Sequence, residues 1–441
     1  MHRLPKILDL IIIFVVNILL FNYSWYISLI ISVALFLGFY AFRIYDLETM
    51  KSLNESIIRL FAGFLLGSVI LLFFYPFFLE NNINRNTFIN NLVLSIIFIP
   101  FFHKIEYILF EKHAKPKRYL VIGKKEEIGH ILKEIQEKAL NKLQFIDYIN
   151  PSPIKLEELV NNGFSKKEET RINKIIRFTY KNYPAKYDAI IITDPKLEER
   201  VKDKLEEYKT SGIEIEYLPN IAEKYLKRIP LEVIEKFKEY YSIIFEQEYE
   251  SPGKRILDVI GSTTALVLFS PFMLITSILI YFEDGKPIIF KQKRVGKNEN
   301  PFIMHKFRSM KNNNNSNPKF ADQEKDRILK VGKLIRPVRI DETLQFLNIL
   351  KGEMSIVGPR PEQIPFVNEF NKQIPFYYAR HKVKPGLTGW AQIMFKYASN
   401  QEDTKIKLSY DLYYVKNRTT LFDLRIILQT IEAVFWKRGA K

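Results

Sequence analysis

Apolar side chains follow three different rhythms along this chain. Up to residue 110 they form solid blocks, at 7–21, 25–42, 60–79 and 88–110. The last three blocks are long enough to cross a hydrocarbon core about 30 Å thick. The first is shorter, carries Asp9 and Asn17, and follows Arg3 and Lys6 as the apolar part of a secretion signal would. No small-residue cleavage site occurs in Phe21–Trp25, so this block reads as a retained helix. Basic residues precede the first block, lie between the second and third (Arg43, Lys51, Arg59) and follow the fourth (Lys112, Lys115, Lys117, Arg118). The bias of positive charge toward the cytoplasm then places both ends of this bundle there.

After Arg118 the rhythm changes. Short apolar runs at Tyr119–Ile122, Phe145–Ile149, Asp188–Thr193 and Ile213–Leu218 alternate with charged helical stretches around Glu126–Ala139 and Lys196–Tyr208, which predicts a parallel α/β sheet. The first run enters Gly123-Lys124-Lys125-Glu126-Glu127-Ile128-Gly129. This keeps the outer glycines of a dinucleotide fingerprint and lacks the middle one, which would let backbone approach a pyrophosphate. A structural or sensing role is expected for this part rather than catalysis. Pro151-Ser152-Pro153 marks a loop inside it, and the charged stretch Glu246–Gly253 marks a linker.

The third rhythm opens with Ile256–Phe282, apolar and long enough to span, but interrupted by Ser270-Pro271 and carrying Asp258 near its start. Lys254 and Arg255 precede it, and Lys286, Lys291, Lys293, Arg294 and Lys297 follow. A true crossing would leave one basic cluster on the wrong face. A helix that enters, breaks at the proline and returns removes the conflict, since proline deletes a backbone hydrogen bond and serine can satisfy what it frees. A kinked fifth span and a buried soluble helix are the alternatives. Next come a strand (Ile288–Val295), a turn (Gly296–Pro301) and a second strand (Phe302–Met310). This hairpin carries Lys291, Lys293, Arg294, Lys306 and Arg308, and suits either a phosphate cradle or a basic surface beside anionic headgroups. Asn312–Asn315 is a polar loop.

Further on, Leu344, Leu347 and Leu350 mark the buried face of a short helix closed by Gly352, with Asp341 and Glu342 at its mouth and Arg336 and Arg339 just ahead. Neighbouring residues there lie about 100° apart, so two carboxylates can flank one ion or phosphoryl group, kept ionised by the helix's positive end. An ionised carboxylate can attack phosphorus; an ordinary acidic first turn is the plainer alternative. Gly358-Pro359-Arg360-Pro361 offers a stiffly held arginine suited to clamping phosphate. Lys384-Pro385-Gly386-Leu387-Thr388-Gly389-Trp390 offers turns whose N–H groups can approach an anion. The C-terminal helix around Leu421–Phe435, ending Trp436-Lys437-Arg438, suits the membrane interface or core packing equally.

Composition narrows the chemistry. The 441 residues, 47% hydrophobic, leave room for two or three domains and argue against wholesale disorder. Absence of cysteine excludes a thiolate nucleophile, cysteine-held zinc and disulfides, and the six histidines have no H-E-x-x-H spacing, so any metal is expected on oxygen ligands. The net charge of +17 is uneven: residues 1–110 carry 7 Lys+Arg against 6 Asp+Glu, 111–251 carry 27 against 26, and 252–441 carry 32 against 17. The last part should therefore meet something anionic, whether nucleotide, phospholipid, nucleic acid or phosphorylated substrate.

Taken in order, Lys254-Arg255 with Asp258 and Ser270-Pro271, Lys306-Phe307-Arg308-Ser309-Met310, Asp341-Glu342, Gly358-Pro359-Arg360-Pro361, Lys384 to Trp390, and Asp411 through Tyr414, Val415 and Asn417 to Asp423 strongly resemble the bacterial sugar transferase family, the monotopic polyprenyl-phosphate phosphoglycosyl transferases. The resemblance covers 252–438. It implies a multi-domain membrane protein of the long form: transmembrane helices over 1–112, a degenerate Rossmann-like α/β domain over 113–250, and a C-terminal α/β catalytic domain over 251–441 with a re-entrant helix at 256–282. It further implies transfer of a sugar-1-phosphate from a UDP-sugar to undecaprenyl phosphate at the cytoplasmic face of the bacterial inner membrane. Magnesium would assist and UMP would be released, as a first step in O-antigen, capsule or exopolysaccharide assembly.

By motif, Asp341 would be the nucleophile and Glu342 a general base or, with Asp341, a magnesium ligand. Arg308, Arg336, Arg339 and Arg360, with Lys306, Lys384 and Thr388, would meet the substrate. Two departures stand out: Thr343-Leu344 where the family commonly has Leu-Pro, and Lys297–Pro301 where it has a glycine-rich turn. A nucleotide-sugar dehydratase or epimerase would need a complete glycine fingerprint and a Tyr-x-x-x-Lys pair; that pair occurs once, at Tyr378 and Lys382, far from the glycine loop. A membrane scaffold that senses nucleotide without catalysis is the non-enzymatic alternative. No recognition helix or aromatic RNA motif points to nucleic acid, membrane lipid is an expected partner, and the sequence leaves room for a homo-oligomer.

Overall fold

The computed structural model describes residues 4–21, 24–74, 85–113, 115–149, 187–247, 250–311, 327–395 and 401–435. The expected loops at Pro151–Pro153 and Asn312–Asn315, the end of the third apolar block at 75–79, and Trp436–Arg438 lie outside these residues.

The apolar blocks form helices α1 (Leu4–Phe21), α2 (Trp25–Ala41), α3 (Leu53–Phe74) and α4 (Arg85–His113). By length and composition α3 and α4 can cross a membrane, as can the later helix α8 (Pro252–Asp284). The second block was expected to be long enough, but α2 holds only 17 residues, at the low end of the spanning range of about 17–25. Helices α2 and α3 cross closely because Gly38, Gly63 and Gly67 face backbone across the contact: a Cβ on Gly38 would lie 2.0 Å from the Gly63 carbonyl oxygen. Small residues spaced four apart let apolar helices gain dispersion contacts where there is no water to exclude. Two pairs of buried polar side chains meet inside the bundle, Asp9 with His103 at 3.0 Å and Asn17 with Asn91 through reciprocal amide bonds.

The middle of the chain forms a four-stranded parallel sheet in the order β2-β1-β3-β4, from β1 (Lys117–Ile122), β2 (Leu143–Ile149), β3 (Ala189–Ile192) and β4 (Glu214–Tyr217). Helix α5 (Lys125–Lys138) joins β1 to β2, α6 (Lys202–Thr210) precedes β4, and α7 (Leu218–Leu226) follows it. Gly123 is needed where strand meets helix, since a Cβ there would strike Thr193 Oγ1 at 2.0 Å. Gly129 has only ordinary contact with Lys125, so it does not serve the close helix–sheet packing of a dinucleotide fold. Core residues run without a break from this sheet through α7 into the C-terminal part, where Trp390 Nε1 donates to the Lys227 carbonyl at 2.8 Å.

Helix α8 is helical throughout its 33 residues, with Pro271 inside it. Pro271 has no N–H for the Val267 carbonyl, and Ser270 Oγ donates to that carbonyl at 2.8 Å. The helix is not straight. Arg255 donates to the Ile349 and Leu350 carbonyls at the end of α10 (Gln345–Lys351), whereas Ile280 is buried in a cluster with Leu344, just ahead of the same helix. A straight run would hold Arg255 and Ile280 about 38 Å apart, and α10 is only about 10 Å long. Helix α8 therefore bends back between its two anchored ends, and proline is the usual cause of such a bend. Its middle presents Ile260, Val267, Leu268, Phe272, Leu274 and Ile275 outward.

Both ends of α8 are tied into one α/β unit. Lys254, buried, donates to Asp423, the Val357 carbonyl and Tyr414, and Asp258 accepts from Ser355 Oγ and Ile356 N. The unit holds an antiparallel hairpin, β5 (Ile289–Val295) with β6 (Pro301–Phe307), a parallel pair, β7 (Ser355–Val357) with β8 (Gly386–Thr388), and helices α9 (Lys330–Ile335), α11 (Ile364–Gln373), α12 (Trp390–Met394) and α13 (Gln401–Asn417). Its last helix, α14 (Thr420–Phe435), does not lie free in an interface. It packs on the bundle, where buried Glu432 meets Arg59 at 2.9 Å and Arg43 at 3.3 Å. Those two arginines, counted above toward membrane topology, are committed to this contact.

Candidate active site

Asp341 and Glu342 do not open an α-helix. They end a 3-10 turn, Ile340–Glu342, and α10 starts only at Gln345. In this tight turn the N–H groups of Glu342 and Thr343 go to the Arg339 and Ile340 carbonyls, three residues back. The expected leucine face is corrected in part: Leu344 is buried, but Leu347 is 42% exposed, while Gln345, Asn348 and Ile349 are buried. Asn348 explains the rotation. Its amide takes the His305 N–H and donates to the Ile303 carbonyl and to Glu353, stitching α10 to β6. Arg339, just ahead of the turn, has φ 60°, a left-handed conformation costing a non-glycine residue about 1–2 kcal/mol. Such strain persists only where surrounding contacts fix it.

Around the dyad the structure gathers Lys306 from β6, Arg336 and Arg339 from the approach to the turn, and Arg360 from the loop after β7. Glu342 is fully engaged: Arg360 Nη2 donates to Oε1 at 2.7 Å and Arg339 Nη1 to Oε2 at 3.3 Å. Asp341 is buried, and its Oδ1 has no hydrogen-bond partner among the described residues. Arg336 Nη1 is likewise buried without a partner. Desolvation and the adjacent Glu342 charge push the Asp341 carboxyl up to about 6, against the pull of Lys306, Arg336 and Arg339. Desolvation pushes Glu342 the same way, but Arg360 and Arg339 outweigh it and hold Glu342 at about 2. Lys306 is lowered by desolvation and by Arg294, and its ammonium lies over the Phe290 ring, 5.1 Å from the centroid.

Three expected substrate contacts are used elsewhere. Arg308 is 3% exposed and donates from Nη2 to the Asp284 and Gly285 carbonyls, closing the C-terminal end of α8. Lys384 pairs with Glu250 at 3.1 Å. Thr388 Oγ1 meets Thr430 Oγ1 at 2.7 Å. Of the turns expected to offer N–H groups to an anion, Gly386 N is taken by the Pro359 carbonyl; in the neighbouring loop Gly358 N donates to the Thr388 carbonyl. Those glycines exist so that two backbones can touch, since a Cβ on Gly386 would lie 2.1 Å from Gly358 N.

Sequence reading missed the inward role of Arg294, noticed only as one more hairpin charge. Alternation along β5 was the available signal, because it separates Arg294 from exposed Lys291 and Lys293.

A family model described as bacterial sugar transferase matches residues 249–437. The protein of Bacillus subtilis named "Uncharacterized sugar transferase EpsL" is 37% identical over 186 residues, which are 42% of this chain and 89% of that relative. The chain belongs to the bacterial sugar transferase family. A UDP-N-acetylgalactosamine-undecaprenyl-phosphate N-acetylgalactosaminephosphotransferase of Aeromonas hydrophila is 46% identical over 189 residues, 43% of this chain and 45% of the relative. A UDP-glucose:undecaprenyl-phosphate glucose-1-phosphate transferase of Escherichia coli is 36% identical over 190 residues, 42% of this chain and 41% of the relative. The similarity thus spans less than half the length of these two proteins. The sugar transferase match takes in α8, the dyad, every cation gathered round it, and α14, and it leaves out the bundle and the parallel sheet.

The same site admits a metal in one form. Among the described residues no group of three or more His, Asp or Glu side chains could hold an ion. Magnesium, however, commonly takes one or two carboxylates and completes its shell with water and substrate phosphate oxygens. The unpartnered Asp341 Oδ1 fits that arrangement.

Proposed function

We propose that this chain transfers a sugar-1-phosphate from a UDP-sugar to undecaprenyl phosphate, releasing UMP and leaving an undecaprenyl-diphosphate-sugar. The observation that carries the reading is a division of labour within the dyad. One carboxylate is tied to two arginines, and the other, beside Lys306 and Arg336, keeps a buried oxygen with no hydrogen-bond partner among the described residues.

In the first half-reaction Asp341 attacks the phosphorus that bears the sugar. The bond from that phosphorus to the bridging oxygen breaks, and UMP departs with the bridging oxygen. In the second, an oxygen of undecaprenyl phosphate attacks the same phosphorus and Asp341 is released. Arg336, Arg339, Arg360 and Lys306 stabilise charge spreading over the phosphoryl oxygens, the main task in phosphoryl transfer. A raised carboxyl also suits a nucleophile, since it is a stronger one when ionised near neutral pH. Glu342, held far below neutrality, is a weak base, so orienting Arg360 and sharing a metal suit it better than taking a proton. Magnesium, when bound, would supply charge neutralisation between the diphosphate and Asp341.

For the membrane, we propose that the bent α8 dips its apolar middle into the cytoplasmic leaflet of the inner membrane and returns. Its two ends on one globular unit and its outward apolar residues support that reading. The lipid phosphate and the water-soluble donor can then meet at the dyad.

Purified protein mixed with a panel of UDP-sugars, magnesium and undecaprenyl phosphate should release UMP with at least one donor, and Asp341→Asn should abolish the release. Wild-type turnover by Asp341→Asn would overturn the assignment.

A further inference from the structure

The loop that carries Arg360 has an unusual shortage of donors. Pro359 and Pro361 have no N–H, so this stretch can be held chiefly through its carbonyl oxygens. All four consecutive carbonyls are engaged. Gly386 N donates to Pro359 O at 2.9 Å, and Val295 N to Glu362 O at 3.1 Å. The middle two are taken by guanidinium groups: Arg380 Nη2 donates to Arg360 O at 2.8 Å, and Arg294 Nη1 to Pro361 O at 3.0 Å.

Arg380 is an expensive way to hold one carbonyl. It is 3% exposed and is matched by buried Asp411, 2.9 Å away, and by the Tyr377 hydroxyl, 2.8 Å away. A buried ion pair seldom stabilises a fold more than apolar side chains of the same volume would, so its presence asks for a reason other than stability. A guanidinium provides one. It is a rigid planar fork that can satisfy a carboxylate, a phenol and a carbonyl at fixed angles. The contact it fixes belongs to the residue whose side chain holds Glu342.

We infer that Arg380 and Arg294 are positioning residues, which set the Pro359–Glu362 backbone so that Arg360 stays locked on Glu342 beside the reacting carboxylate. The inference rests on the transfer reaction proposed above. Neither residue hydrogen-bonds to Asp341 or Glu342; each holds a carbonyl of the loop that carries Arg360. Displacing a catalytic group by about 1 Å commonly costs on the order of a hundredfold in rate, whereas a purely structural loss acts independently of Arg360.

The test is a double-mutant cycle on UMP release by the full-length protein in nanodiscs, with magnesium, undecaprenyl phosphate and a UDP-sugar accepted by the wild type. Arg380→Gln and Arg294→Gln should each lower kcat by roughly ten- to a hundredfold with little change in KM, and Arg380→Lys should recover part of the loss. In an Arg360→Ala background neither should lower kcat further by more than about twofold, because the residue they act through is gone. Losses that multiply fully in that background overturn the inference and leave the transfer reaction standing. A wild type that releases no UMP from any UDP-sugar overturns both. If Arg380→Gln does not fold, the half-buried Arg294 decides alone by the same criterion.

Discussion

Two clusters of opposite charges sit at the ends of α/β elements in this molecule, and they have been finished differently. At the crevice of the parallel sheet, between the ends of β1 and β3, Glu127 is bonded to both Lys124 and Lys236, and Asp194 caps Lys196 N. Open α/β sheets bind ligands at this topological switch point, and here its charged side chains pair with one another. At the dyad, four cations meet two carboxylates. One carboxylate is spent on two arginines, and the other keeps an unpartnered oxygen beside an arginine with an unpartnered nitrogen. Charge alone does not separate the two places. Unfinished bonding does.

If that contrast is right, disturbing the dyad should cost activity and disturbing the crevice should not. The largest effect after loss of Asp341 itself is expected from Glu342→Gln and Arg360→Ala, each lowering kcat for UMP release on the order of a hundred- to a thousandfold in steady-state assays. Arg336→Gln, which removes a cation whose Nη1 is unpartnered among the described residues, should cost roughly tenfold.

The raised Asp341 carboxyl sets a pH dependence. Only the ionised form attacks, so kcat/KM for the donor should fall about tenfold per unit below pH 6 and level off above it. The same group makes a stability prediction of opposite sign. Its folded value lies above its unfolded value of about 3.9, so the folded state holds the proton more tightly and loses stability as pH rises through that window. Thermal unfolding should therefore find Asp341→Asn more stable than wild type at pH 7, by on the order of 1–3 kcal/mol, with the difference vanishing near pH 4. The smallest effect belongs to the crevice: Lys236→Ala should change UMP release by less than about twofold and stability by less than about 1 kcal/mol, as for other partly exposed ion pairs. A large loss of activity there would break the contrast.

Much of this was readable from local pattern. The apolar blocks, the parallel sheet and the basic hairpin follow from periodicity, and at Ser270-Pro271 the missing N–H and the hydroxyl that serves the freed carbonyl were legible, although the helix runs on unbroken where a break was expected. The acidic pair and its arginines were legible from residue type and spacing. What escaped depended on long-range contacts. Leucine spacing placed Leu344 inside correctly but not Leu347, because the amide of Asn348 turns its own side of α10 toward β6. Arg308, Lys384 and Thr388 have the right chemistry for a phosphate, but distant carbonyls, Glu250 and Thr430 claim them. Nothing along the chain indicates that Arg380 spans from Asp411 to the Arg360 carbonyl, since the three meet only in the folded core.

The central claim is that Asp341 accepts the sugar phosphate. Protein incubated with a reactive UDP-sugar and magnesium, without lipid, then acid-quenched and digested, should yield a peptide around Asp341 heavier by one sugar-phosphate, and the added mass should disappear when undecaprenyl phosphate is supplied. UMP released in step with lipid-linked product, with Asp341 unmodified at every time sampled, would contradict it.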